Sequence, residues 1–181
     1  MRRGTLALLL GAPTLAIVAL GAAWWLSGGH GAPYAGLDAR EIKALAPERI
    51  EGLRAGEGLG YALSAELNDV PGPLHALELD LGLTDGQRAA IEAIRAGMNA
   101  EARKHGVALI EAERALDAAF AGRTATPAEV ARLTAEAAAI EARLRAAHLN
   151  AHLATDPILT PEQRTAYAAA RGYGHGGHAG H

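Results

Sequence analysis

His148 and His152 stand four residues apart, a spacing that on a helix turns two imidazoles toward the same side. Neutral imidazoles so placed can share one metal ion. The plainer reading is a pair of partly exposed histidines beside a helix seam. A third histidine, His75, precedes a long helical segment, and Glu78 follows it three residues later on the same face. In an antiparallel helical hairpin the start of the first helix lies beside the end of the second. His75 is therefore expected near His148 and His152. Three nitrogens and the Glu78 carboxylate suit a divalent transition ion, Cu, Zn, Ni or Co, and the affinity order favours Cu(II). Glu141 is a weaker fourth donor. His175, His178 and His181, spaced by glycine and alanine, form a weaker site that gathers such ions loosely, or else a plain solvated tail. His105, with Glu101 one turn before it, reads as structural, and Met98 reads as core. Histidine ligands bind only when neutral, so affinity is expected to fall between about pH 7.5 and about pH 5.5.

Other chemistries lack parts. Cysteine is absent, which removes thiolate sites and disulfides. Serine occurs only at Ser27 and Ser64, neither with a recognisable base, so the chain reads as a binding protein and not an enzyme. Beyond residue 30 lie all 20 acidic residues but only 15 of the 17 basic ones, a net charge of −5 with neutral histidine. That balance, with aromatics at 4 %, argues against nucleic acid, which asks for a basic stripe and stacking rings.

The elements that must position the histidines are helices, and their starts are written out. Leu83-Thr84-Asp85-Gly86-Gln87 and Leu159-Thr160-Pro161-Glu162-Gln163 are two copies of one pattern, LTxxQ. In each, threonine at the N-cap accepts from the N3 amide and glutamine reaches back to the N-cap amide. Thr126-Pro127-Ala128-Glu129 offers the same box with glutamate. These starts predict long helices over 85–121 and 127–154 and a last one over 161–171. Val130, Leu133, Ala137, Ile140, Leu144, Ala147 and Ala151 alternate by three and four along the second, a heptad seam. Two such helices joined by the turn at Gly122 make an antiparallel αα-hairpin. Shorter helical pieces are expected over 38–68, one opened by Pro47, and another over 74–80 after the turn Pro71-Gly72-Pro73. The fold class is thus all-α: a long antiparallel helical hairpin with short flanking helices. Its alanine-rich seam predicts pairing with a second copy into a four-helix arrangement, unless the N-terminal pieces cover it.

Arg2 and Arg3 precede an apolar run over 5–26 that closes on Trp24 and Trp25. As a helix it would span roughly 33 Å, enough for a bilayer core. The expectation is an uncleaved inner-membrane anchor with the arginines cytoplasmic, ahead of a cleaved signal peptide. Either way residues 31–181 are exported, and the periplasm is the expected compartment. Residues 1–26 are thus the anchor or signal segment, 27–37 a linker, 38–171 the helical domain and 172–181 a His/Gly-rich flexible tail.

Two LTxxQ motifs flanking a long hairpin behind an export segment resemble the CpxP/Spy-like periplasmic proteins. Within them the chain looks closest to metal-resistance sensors of the CnrX kind. His148-Leu149-Asn150-Ala151-His152, followed by Leu159-Thr160-Pro161-Glu162-Gln163-Arg164 and Tyr167, is similar to their C-terminal metal-binding stretch, where a His and a Met precede a comparable helix start. His148 takes the histidine position and His152 that of the methionine. Leu74-His75-Ala76-Leu77-Glu78 resembles their N-terminal ligand helix, with His75 on its first histidine. The second histidine of that helix is not reproduced, and Arg95 stands where a glutamate ligand would fall. The resemblance covers roughly residues 70–170. It implies a periplasmic metal-binding sensor or resistance accessory whose metal-bound state alters an inner-membrane signalling partner, alongside the homodimer that the seam predicts. The alternative it implies is a chaperone that holds unfolded clients without any metal.

Overall fold

The computed structural model describes residues 33–172. Two compact units meet in the chain between Asp38 and Ala39. Of the first, the described part is a turn in which the Tyr34 carbonyl accepts from the Leu37 N–H. The apolar run 5–26 and the histidines of the tail lie outside the described residues. Among the described residues, no helix is long and apolar enough to cross a membrane.

The second unit is helical, with no strand among the described residues. Its helices are α1 (Pro47–Ala55), α2 (Leu63–Glu66), α3 (Pro73–Glu78), α4 (Asp85–Ala121), α5 (Pro127–Thr155) and α6 (Pro161–Arg171). The long pair α4 and α5 pack against each other as the expected hairpin. Both LTxxQ boxes are closed. Thr84 Oγ1 accepts from Gln87 N at 3.2 Å, and Gln87 Oε1 accepts from Thr84 N at 3.0 Å. Thr160 and Gln163 repeat the exchange at 3.2 and 2.9 Å. The third box is only half made. Thr126 Oγ1 takes the Glu129 N–H, but the Glu129 carboxylate turns to Arg132, 2.8 Å away, where an ion pair outcompetes the backbone amide.

The seam on α5 forms as its spacing predicts: Leu133, Ala137, Ile140, Leu144 and Ala151 are buried. What covers it is the N-terminal part of the same unit. Ile42, Leu45, Ile50, Leu53 and Tyr61 form one core with Ala102, Leu109 and Ile110 of α4 and Ala137, Ile140 and Leu144 of α5. The seam around Ala137 to Leu144 therefore does not need a second copy to bury it. Gly106 makes this closeness possible. A Cβ there would lie 2.1 Å from the Leu53 carbonyl oxygen, so only glycine lets α1 touch α4. A second core, of Ala76, Leu81, Ile91, Leu159 and Tyr167, ties α3 and α6 to the start of α4. Along the chain, His148 and His152 fall between Leu144 of the first core and Leu159 of the second.

Candidate functional site

The two LTxxQ starts meet each other. Gln87 Nε2 donates to Gln163 Oε1 at 2.8 Å, and Gln163 Nε2 donates to Gln87 Oε1 at 3.1 Å. Gln87 Nε2 also reaches the Ile158 carbonyl at 2.8 Å. Each glutamine thus caps its own helix and grips its counterpart. This pair fixes the start of α4 beside the start of α6, next to the end of α5 that carries the histidines.

His148 is 3 % exposed, and its Nε2 has no hydrogen-bond partner among the described residues. Its ring lies beside that of Tyr61, with centroids 6.0 Å apart and planes 16° apart. The Tyr61 hydroxyl donates to Glu141 Oε1 at 2.8 Å and accepts from Arg49 at 2.9 Å. Burial and the bond to Glu141 push Tyr61 up to about 12. Glu141 is thereby engaged with Arg49 and Tyr61 rather than offered as a donor. Burial, and then the neighbouring His152, hold His148 below its usual value, so it is a neutral imidazole near pH 7.

His152 is buried on the next turn. Its Nδ1 lies 2.7 Å from the Val70 carbonyl, which can only accept, so Nδ1 carries a proton. The Cε1–Nε2 edge of the ring rests on Gly72, where a Cβ would come within 2.6 Å of it. Glu66 stands 3.9 Å from His152 Nδ1. That carboxylate is 7 % exposed and accepts from Tyr167 Oη at 2.9 Å and Arg171 Nε at 2.7 Å. Tyr167 in turn accepts from the Gly72 N–H at 3.2 Å. Burial and then Glu66 raise the Tyr167 hydroxyl well above its usual range.

His75, on α3, is half-buried, and its Nδ1 is 3.2 Å from Glu78 Oε2, the expected same-face pair. His75, His148 and His152 all line one cavity of about 560 Å³, together with Glu66, Arg95 and Asn99. Glu78 does not line it but lines a neighbouring groove with Arg88 and Glu92, to which Arg95 and Asn99 also contribute. Met98 borders the cavity. His105 pairs with Glu101 at 3.2 Å elsewhere on α4.

The donor chemistry suits a borderline divalent ion, with a buried unpartnered nitrogen and a histidine whose tautomer is fixed by a carbonyl. Among the described residues, however, no three His, Asp or Glu side chains converge as a ready-made metal cluster. The residues whose roles sequence reasoning overlooked are Glu66, Tyr61 and Gly72. The i,i+3/i+4 pattern gives no sign of them, because each acts across the fold. The turn Pro71-Gly72-Pro73 marks the right place without saying that an imidazole lies on its glycine. A family model described as LTXXQ motif family protein matches residues 70–171. No curated protein and no solved structure matches the chain.

Proposed function

The chain belongs to the LTXXQ motif family, and from that premise we propose a periplasmic protein that binds a divalent transition ion, Cu, Zn, Ni or Co. It serves as a heavy-metal sensor or resistance accessory. Its function is binding and not catalysis. His148 and His152 hold the ion and His75 is the third donor, while Glu78 orients the His75 ring. The bound ion supplies a charge that can draw α3 and α5 together. An inner-membrane partner would read that state, with residues 1–26 as the anchor. His175, His178 and His181 collect ions loosely for the same site.

The observation that carries this reading is the buried, unpartnered Nε2 of His148. A buried nitrogen left without a hydrogen-bond partner carries a desolvation cost that nothing among the described residues recovers, and a metal ion is one ligand that would satisfy it. Burial also keeps the ring in the neutral, metal-binding form. A homodimer belongs to the same proposal, resting on exposed Phe120 and Leu153.

The second reading, a chaperone for unfolded clients, is favoured by the exposed apolar side chains Leu63, Leu67, Val107, Phe120 and Leu153. Calorimetric titration of the full chain, with the three tail histidines changed to glutamine, separates the two. One ion per chain is expected to bind, and His148→Ala with His152→Ala should abolish tight binding while far-UV dichroism stays helical. Unchanged metal affinity in that double variant removes the histidine site. Suppression of client aggregation that is indifferent to metal would then put the chaperone first.

A further inference from the structure

The same cavity contains a feature that a metal site does not use. Arg95 is half-buried on α4 and lines the cavity, yet among the described residues it makes no hydrogen bond or ion pair. In a chain with more acidic than basic residues, a half-buried guanidinium would be expected to find a carboxylate. The nearby carboxylates are committed elsewhere or make no bond to it. Glu66 is held by Tyr167 and Arg171, Glu57 is exposed, and Glu78 and Glu92 share with Arg95 a neighbouring groove but make no ion pair with it. Asn99, one turn further along α4, lines the cavity too, so its carboxamide and the guanidinium stand on one helix face. The rest of the wall is largely apolar, with Leu59, Leu63 and Met98 prominent.

A fork of N–H donors at one place on an apolar wall matches a carboxylate attached to a hydrocarbon body. A cavity of about 560 Å³ is large enough for a small organic molecule. Inorganic anions would leave the apolar wall unused. We infer that this cavity binds a small organic monocarboxylate, its carboxylate held by Arg95 and Asn99 and its apolar body laid against Leu59 and Met98.

The test uses the full chain, stripped of metal by dialysis, so that its outcome is independent of whether the histidines bind an ion. Phenylpropanoate is titrated calorimetrically against the neutral phenylpropanol and against inorganic phosphate. The carboxylate should bind at least about tenfold more tightly than the alcohol, as expected for a charge-assisted pair. Arg95→Gln should abolish that preference, with Arg95→Lys retaining part of it, and the melting temperature should stay unchanged because Arg95 bonds to nothing it would leave behind. No binding of phenylpropanoate by the parent at about 10 mM overturns the inference. So does equal affinity in Arg95→Gln, or phosphate binding as tightly as the carboxylate.

Discussion

Two neighbouring regions of this protein treat their polar groups in opposite ways. Where the LTxxQ boxes meet, the threonine hydroxyls, the N-cap amides and both glutamine amides all have partners inside the chain. In the cavity beside it, a buried imidazole nitrogen and a half-buried guanidinium have none among the described residues. Buried polar groups are satisfied almost everywhere in folded proteins, so the contrast divides labour. The satisfied region sets the position of the helices, and the unsatisfied one is where free energy remains for a ligand to gain.

The largest expected effect lies in the satisfied region. Gln87→Ala with Gln163→Ala removes both back-reaching caps and the amide pair, and should cost about 2–3 kcal/mol in urea unfolding. The two single variants together should cost about 1 kcal/mol more than the double, because the shared pair is lost only once in it. Strict additivity would mean that the glutamines act only as separate caps, and the contrast would lose its first half.

Tyr167→Phe probes the border between the regions. It takes a partner from the Gly72 N–H and another from Glu66, both buried, for an expected loss of about 2 kcal/mol. A midpoint within experimental error of the parent would show that Arg171 and solvent suffice for these groups.

How much of this could be read beforehand follows from how local each signal is. Helix starts are local: a threonine and a residue three places on decide them, and α4, α5 and α6 begin within a residue of the expected positions. The seam on α5 is local too, because its period belongs to one helix. The half-made box at Thr126 shows the limit, since Arg132 is also local and competes for Glu129. What covers the seam was not legible, for Ile42, Leu53 and Tyr61 come from short pieces interrupted by glycines and carry no clear period. The expectation of a second copy over that seam arose from this gap. Gly106 looks like a plain defect in a helix until Leu53 is seen against it. In the cavity, residue types and chain topology sufficed to place His75 alongside His148 and His152. Glu66 and the isolation of Arg95 depend on contacts between distant segments, which spacing does not encode.

The smallest effect on stability is expected from the unsatisfied region itself. His148→Leu replaces a buried ring with an unpartnered nitrogen by an apolar side chain of similar bulk. Stability of the metal-free protein near neutral pH should therefore change by less than about 1 kcal/mol, in either direction. Its pH dependence should change more clearly. Burial, followed by His152, lowers the folded-state pKa of His148, whereas the unfolded chain takes up its proton near the ordinary value of about 6.5. The unfolded state then binds more protons as pH falls below that value. The parent's stability should decline from about pH 6.5 down to the lowered folded pKa, with the contribution fully present above this window. The same sign means that His148 stays available to a metal further into the acid range than a free histidine would. Urea midpoints at about pH 7.5 and about pH 5.5 provide the measurement. The parent should lose more between them than His148→Leu does. Equal losses would show that the ring is protonated as easily folded as unfolded, and His148 would then belong with the satisfied groups.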